Sequence, residues 1–105
     1  MDCIFCKIIK KEIPAEVVFE DKAIIAFKDI KPIASVHIVI IPKKHINSVV
    51  NLKKEDEVLM GKLIMTAKKI ADDLKVSEKG YKLLIRVGRG GGQEVDHIHL
   101  HLLAC

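Results

Sequence analysis

The sequence contains very few aromatic residues. It has no tryptophan, one tyrosine and three phenylalanines among its 105 residues. Half of the residues are nevertheless hydrophobic, so a buried core must be built from isoleucine, leucine, valine and alanine. A chain of this length can bury one core and is too short for two. We therefore expect a single domain that spans residues 1–105.

Long hydrophobic runs are also absent. No apolar run approaches the roughly 20 residues that a membrane-spanning helix requires, and the N-terminus lacks the basic region and apolar core of a signal peptide. Lys and Arg outnumber Asp and Glu by only 18 to 14. This small excess suits an anionic ligand but does not indicate nucleic-acid binding. We expect neither a membrane nor a nucleic acid as a partner.

Cysteine is scarce, and two of the three cysteines form a close pair, Cys3-x-x-Cys6. This usage is simplest to explain in a reducing cytoplasm, where a disulfide is disfavoured. The pair is half of a four-ligand zinc site, because thiolate and imidazole ligands suit Zn²⁺. His45 and one of the histidines near the C-terminus are candidates for the other ligands. The alternative, that the cysteines are two small buried hydrophobic residues, stays open.

Hydrophobic periodicity predicts five strands and two helices. We expect strands at residues 16–20, 23–28, 36–41, 81–87 and 97–103, a helical turn at 7–11 and a long helix at 53–74. The apolar face of the long helix consists of Leu59, Leu63, Ala67, Ile70 and Leu74, widened by Ile64 and Ala71. No strand–helix–strand alternation runs through the chain. The fold class is therefore α+β, a mainly antiparallel five-stranded sheet with the long helix on one face.

Three histidines alternate with apolar residues in the last predicted strand. Alternate side chains of a strand point to one face, so His97, His99 and His101 should form a row. A neutral imidazole is a good nucleophile toward phosphorus, and a neighbouring imidazole can stabilise the leaving group. We expect His99, in the middle, to be the nucleophile. The glycine-rich loop at 88–92 would let backbone N–H groups approach an anion. A metal site, phosphate chemistry or both remain open.

Asp29 follows the second predicted strand and precedes a proline-containing loop. A carboxylate at such a position could accept hydrogen bonds from ribose hydroxyls, and Phe27 and Ile30 could sandwich a base. A turn-forming aspartate is the alternative.

Several motifs together resemble the histidine triad superfamily, and in particular its bacterial Hint branch. The segment from His97 to Leu103 resembles the His-x-His-x-His-x-x signature of that superfamily, in which x is apolar. Residues 3–9, 27–30, 36–45 and 91–95 resemble other conserved blocks of the Hint branch. The similarity covers nearly the whole chain and implies the HIT-like fold.

The resemblance implies a purine nucleoside phosphoramidase, or nucleotidyl hydrolase, that cleaves adenosine or guanosine 5′-phosphoramidates through a nucleotidylated histidine. Carried over to this sequence, His99 is the nucleophile, His101 contacts the scissile phosphate and the leaving group, and His97 and His37 support them. The nucleotide-binding residues implied are Phe27, Asp29, Ile30, Gln93, Glu94 and Val95.

The resemblance also implies a structural zinc ion and a homodimer. The implied zinc ligands are Cys3, Cys6, His45 and His97. The long helix and the strand at 81–87 would pair across a two-fold axis and form a ten-stranded sheet.

The sequence departs from the family pattern at four places. Arg86 replaces a common asparagine, Glu94 a common serine or threonine, and Asp96 an aromatic or apolar residue. The sequence also stops at Cys105, where family members commonly continue for several residues. These departures suggest that the activity is altered or low. A catalytically weak nucleotide-binding or interaction protein is therefore an alternative interpretation. A dinucleoside polyphosphate hydrolase and a metal-storage or zinc-sensing protein are further alternatives.

Overall fold

The computed structural model describes residues 3–105, so residues 1 and 2 of the predicted domain lie outside the described residues. Two helices and five strands follow one another along this part of the chain. Their bounds are α1 Ile4–Ile9, β1 Val17–Glu20, β2 Ile24–Lys28, β3 Val36–Pro42, α2 Glu57–Asp73, β4 Lys82–Leu84 and β5 Leu100–Ala104. Short 3₁₀ turns at Val49–Asn51, Lys54–Asp56 and Arg89–Gly91 complete the described secondary structure.

The five strands form one sheet in the order β1-β2-β3-β5-β4. All four pairings in this sheet are antiparallel, which confirms the predicted α+β class. Strands β1 to β3 are consecutive and pair as a meander, because short turns connect them. The last strand inserts beside β3 and leaves β4 at the edge.

The two faces of the sheet are covered by different helices. Helix α2 buries Leu63, Ala67, Ile70 and Ala71 against alternate residues of β2, β3 and β5. Helix α1 packs Phe5 and Ile8 against the opposite face, on residues such as Phe27 and Val39. Because alternate residues point to opposite faces, β2 and β3 each contribute to both clusters. Most of the predicted face of the long helix is therefore confirmed, but Ile64 and Leu74 are 44% and 41% exposed.

The first helix begins earlier than predicted. It starts at Ile4 instead of residue 7, inside the cysteine pair. The sulfur of Cys3 accepts a hydrogen bond from the backbone N–H of Cys6 at 3.2 Å and so caps the helix. Cysteine is not among the usual capping residues, so the sequence pattern gave no signal for this start.

The last two strands differ in their bounds from the prediction. Strand β4 is shorter, and β5 begins later in the chain. Strand β5 begins at Leu100, so His97 and His99 precede the regular ladder. The N–H of Ile98 donates to the carbonyl oxygen of Ile46 at 2.7 Å. Strand β4 ends at Leu84 and does not reach residue 87. The alternation of faces still holds, because Ile98, Leu100 and Leu102 are buried.

Among residues 3–105, no helix combines the length and the apolar character needed to cross a lipid bilayer.

Candidate functional site

A cleft of about 660 Å³ opens on the face of the sheet that α1 covers. One part of its wall is apolar and includes Phe5, Ile8 and Phe27, whereas the other part includes His99 and His101. A mostly apolar cavity with a few convergent polar groups is typical of a small-molecule site. The cleft is therefore the candidate active site.

The proton position on His99 follows from its buried partner. Its Nδ1 lies 2.7 Å from the carbonyl oxygen of His97. A carbonyl oxygen can only accept, so Nδ1–H donates and the neutral ring keeps its lone pair on Nε2. The ring of Phe5 packs edge-on against His99, with 5.0 Å between ring centroids. The orientation of the ring and its tautomer are therefore both fixed.

His101 carries the complementary tautomer. The backbone N–H of Ile33 donates to Nδ1 of His37 at 3.2 Å, so the neutral ring of His37 has its proton on Nε2. That Nε2–H donates to Nδ1 of His101 at 2.8 Å, and the proton of His101 is then on its own Nε2. The carboxylate of Asp29 lies 3.3 Å from Nε2 of His37. A lone pair on His99 thus faces the same cleft as an N–H donor on His101.

Burial keeps these imidazoles neutral. It lowers the pKa of His101 from 6.5 to about 4, with further lowering by the charges of His99, His37 and Arg86. Burial is also the largest cause that lowers the pKa values of His99 and His37, and Arg86 acts in the same direction on both. A desolvated imidazole resists protonation. At pH 7 these imidazoles of the cleft are therefore neutral.

The predicted nucleoside-binding residues lie together beside the histidines. Phe27, Asp29 and Ile30 all line the cleft. Phe27 is buried, whereas Ile30 is 86% exposed and lies at the mouth of the cleft. Oδ1 of Asp29 accepts the N–H of Lys31 at 2.7 Å, so this carboxylate also makes the turn that was the alternative interpretation.

Gln93 is not part of the cleft wall. Its side chain is buried, its Nε2 donates to the carbonyl oxygens of Asn47 at 2.6 Å and Val95 at 2.8 Å, and its Oε1 accepts the N–H of Gly88 at 2.8 Å. Both amide hydrogens are therefore occupied. The geometry gives Gln93 a positioning role for the glycine-rich loop, while Glu94 and Val95 do line the cleft.

The structure shows where two of the residues that depart from the family pattern lie. Asp96 is exposed and forms an ion pair with Arg89 at 3.0 Å, so it is not a buried charge. Arg86 lines the cleft together with His99 and His101.

A second cluster lies beside the cleft and consists of Cys3, Cys6, His45 and His97. Each sulfur lies 3.2–3.7 Å from each histidine Nδ1, and the two Nδ1 atoms are 3.1 Å apart. The ligand atoms of a tetrahedral thiolate–imidazole site are separated by roughly 3.3–3.8 Å. Both cysteines are free thiols. The cluster is therefore compatible with a bound metal ion.

The hydrogen bonds of the two histidines support this interpretation. Nε2–H of His97 donates to the carbonyl oxygen of Pro42 at 2.8 Å, and Nε2–H of His45 donates to Oδ1 of Asn47 at 2.6 Å. Each neutral ring then directs an Nδ1 lone pair into the cluster. Two such lone pairs at 3.1 Å repel each other unless a cation lies between them, and outer partners of this kind are typical of metal-binding histidines.

The two sites share His97 and Phe5. The ring of His97 faces the cysteine–histidine cluster, and its carbonyl oxygen accepts the hydrogen bond from His99. The ring of Phe5, between the two cysteines in sequence, contacts both histidine rings. Sequence reasoning missed Phe5, Asn47 and Pro42 as supporting residues. Their roles depend on tertiary contacts that leave no local sequence pattern. The only signal was the location of Phe5 between the two cysteines.

Comparisons with known proteins agree with this geometry. Residues 2–105 match a family model described as "Scavenger mRNA decapping enzyme C-term binding". The chain is 46% identical over 102 residues to the purine nucleoside phosphoramidase of Escherichia coli K12, covering 97% of this chain and 86% of that protein. It is 45% identical to Protein HitA of Neisseria gonorrhoeae, covering 97% and 94% of the two chains.

Solved structures give the same result. A HIT family hydrolase from Legionella pneumophila superposes with a TM-score of 0.96 at 53% identity, covering 98% of this chain and 92% of that chain. A histidine triad protein from Clostridium difficile has the same TM-score of 0.96 at 39% identity, with 100% and 91% covered.

The hydrogen-bond network predicts distinct ¹⁵N resonances for the histidines. In the folded chain at pH 7, His99 should be protonated only on Nδ1 and His101 only on Nε2. His101 should not gain a charge until the pH falls to about 4. Because its pKa is lower in the folded than in the unfolded state, stability from the neutral ring is present above pH 6.5 and is lost as the pH falls toward about 4.

A pH titration by NMR of ¹⁵N-labelled histidines measures both properties. The urea-unfolded chain is the control, and its histidines should titrate near 6.5. Titration of His101 near that value in the folded chain, or a proton on its Nδ1, would contradict the network.

Proposed function

The chain belongs to the histidine triad (HIT) superfamily and is a hydrolase of that family, and from this membership we propose that it cleaves the phosphorus–nitrogen bond of purine nucleoside 5′-phosphoramidates. The named activity of the Escherichia coli relative supports this reaction. The substrates would be adenosine or guanosine monophosphate conjugates with an amine.

The observation that carries the proposal is the pair of opposite tautomers in the cleft. His99 offers a lone pair on Nε2 and His101 an N–H on Nε2, and their ring centroids are 4.9 Å apart. Phosphoryl transfer needs a nucleophile aimed at phosphorus and donors near the oxygens on which charge develops. The two rings supply one of each.

The reaction would proceed in two steps through a nucleotidylated histidine. Nε2 of His99 attacks the α-phosphorus and forms a bond to it, while the bond to the amine nitrogen breaks. The departing nitrogen takes up one proton from solvent and leaves as the amine. Water then attacks the same phosphorus, releases one proton and frees Nε2 of His99. Nε2–H of His101 donates to a phosphoryl oxygen in both steps, so the enzyme ends unchanged.

The nucleoside would occupy the apolar part of the cleft. Phe27 and Ile30 would flank the purine base, and Asp29 would accept hydrogen bonds from the ribose hydroxyls. A carboxylate has about four lone-pair positions, so the contacts of Asp29 with Lys31 and His37 leave capacity for a ribose. Glu94 and Val95 would contribute backbone groups near the α-phosphate, and Gln93 would hold their loop in place.

Replacement of the nucleophile tests the reaction directly. His99→Ala should lower the turnover of adenosine 5′-phosphoramidate by about a thousandfold or more, because no other group can form the covalent intermediate. Mass spectrometry of acid-quenched wild-type enzyme should detect the nucleotidylated chain. The control is Lys22→Gln, which changes an exposed residue that does not line the cleft and should retain wild-type turnover.

Calorimetric binding of AMP to His99→Ala separates loss of chemistry from loss of fold. If neither the wild type nor the variant turns over substrate while both bind AMP, the chain is a nucleotide-binding protein and the proposed reaction is wrong.

We further propose that the cysteine–histidine cluster binds a structural zinc ion. The residues that would hold it are Cys3, Cys6, His45 and His97, and when bound it would close a four-ligand cross-link between α1 and the segment before β5. Thiolates and imidazoles are the ligands that zinc prefers. A zinc site with two thiolates also supports a reducing cytoplasm as the location of the protein.

Metal content and thermal stability test this site. Protein purified under reducing conditions should contain about one zinc per chain, and Cys6→Ser should lose it and unfold at a lower temperature. Cys105→Ser is the matched control, because Cys105 is an exposed thiol outside the cluster. Equal zinc content in the two variants would contradict the proposed ligands.

We also propose that the chain forms a homodimer through α2 and β4. The outer side of α2 exposes Val58 and Met65, which are 77% and 63% accessible. Gly61 lies between them, and a Cβ added there would meet nothing within 4 Å. Apolar side chains around a glycine allow two helices to approach closely. Strand β4 also lies at the edge of the sheet, where a second chain can pair with it.

A charge placed on this surface tests the dimer. Met65→Glu should convert the dimer to a monomer at micromolar concentration, because the carboxylate would be buried without a partner. Sedimentation equilibrium measures the mass. Val17→Glu, on the opposite edge of the sheet, is the control and should remain dimeric. A dimer that tolerates Met65→Glu would exclude this surface.

A further inference from the structure

Arg86 lies on the same face of the sheet as the proposed nucleophile. The register of β4 and β5 pairs Leu84 with His101, and the regular pairing ends there. Leu83 and Ile85 both pack on the α2 side of the sheet, so side chains continue to alternate beyond the end of β4. Arg86 is therefore on the cleft side, where it lines the cleft together with His99 and His101.

Arg86 is a half-buried residue, and its guanidinium has no carboxylate within 4.0 Å among residues 3–105. Arg89, three residues later, is different, because it binds Asp96 at 3.0 Å and the carbonyl oxygen of Gln93 at 2.6 Å. The side chain of Arg86 instead lies against Gly92, where an added Cβ would be 3.2 Å from Cδ. A partly desolvated cation without a partner favours an anionic ligand.

Other charges that face the cleft are differently placed. Lys28 forms an ion pair with Glu16 at 2.8 Å, and Asp29 contacts His37 and the N–H of Lys31. Glu94 is exposed and also lines the small pocket beside the metal cluster. Lys31 is exposed on the loop after β2, at the nucleoside end. Arg86 is thus the unpaired cation on the histidine side of the cleft.

The strand order orients a substrate relative to Arg86. Phe27 is on β2 and Asp29 directly follows it, whereas His99 precedes β5 and Arg86 follows β4. The sheet order β2-β3-β5-β4 therefore places the nucleoside, the phosphorus and Arg86 in sequence across the sheet. The part of a substrate beyond the scissile bond, which is the leaving group, would be the part that Arg86 contacts.

We propose that Arg86 selects substrates whose leaving group carries a negative charge close to the scissile bond, either the carboxylate of an α-amino acid or a second phosphate. This inference rests on the proposed function, because it assigns the leaving-group side of the same site. The guanidinium presents several N–H donors in one plane, which match both oxyanions.

Two substrates that differ only in this charge test the inference. Adenosine 5′-phosphoryl-glycine has a carboxylate on its leaving group, and adenosine 5′-phosphoryl-glycinamide does not. The wild type should prefer the former by about tenfold or more in kcat/KM. Arg86→Gln should remove the preference, Arg86→Lys should keep part of it, and Lys22→Gln should keep all of it. The ratio cancels any change that acts equally on both substrates.

A binding measurement tests whether Arg86 recognises a second phosphate, and it does not depend on turnover. ADP should bind the wild type about tenfold more tightly than AMP by calorimetry, and Arg86→Gln should remove this difference. A preference for the carboxylate alone, or for the second phosphate alone, identifies which anion Arg86 accepts.

The possible failures are distinct. Equal losses for both substrates in Arg86→Gln would mean that Arg86 contacts the α-phosphoryl group, and this would overturn the selectivity. Equal kcat/KM values in the wild type would overturn it as well. If the wild type cleaves neither substrate, the proposed reaction fails, and the ADP and AMP affinities then decide whether Arg86 recognises an anion.

Discussion

The hydrogen bond from Nδ1–H of His99 to the carbonyl oxygen of His97 is the interaction on which the site depends. At 2.7 Å it fixes both the rotation of the His99 ring and the location of its lone pair. The carbonyl is itself held in place because the ring of His97 is anchored between Pro42 and the cysteine–histidine cluster. A backbone acceptor cannot change its role with pH, so the tautomer of His99 persists wherever its imidazole is neutral.

The sequence contained enough information for the fold and for the location of the site. Alternation of polar and apolar residues predicted the strands, and the helical repeat from Leu63 to Ala71 predicted which helix face is buried, because both patterns are local consequences of backbone geometry. The prediction that His99 and His101 share a cleft with Phe27 and Asp29 came from the family resemblance. Spacing alone left metal binding and phosphate chemistry open.

The remaining details depend on contacts between distant parts of the chain. The row of histidines is not one regular strand, because the N–H of Ile98 bonds to Ile46 and the ring of His97 turns toward the cysteines. The family resemblance implied that Gln93 binds the nucleotide, and the structure shows its amide hydrogen-bonded to three backbone groups. Tertiary packing decides which of the possible hydrogen-bond partners a group contacts, so these contacts cannot be predicted from the sequence pattern.

The cysteine–histidine cluster also joins parts of the chain that are far apart in the sequence. Cys3 and His97 are 94 positions apart, and Cys6 and His45 are 39 apart. Contacts of such long range close only after the intervening chain has been ordered. The carbonyl oxygen that orients His99 belongs to His97, whose ring faces this cluster. The imidazole of His99 therefore acquires its direction only when the distant segments that carry the cysteines and the histidines have come together, and a partly folded chain does not hold this ring in one orientation.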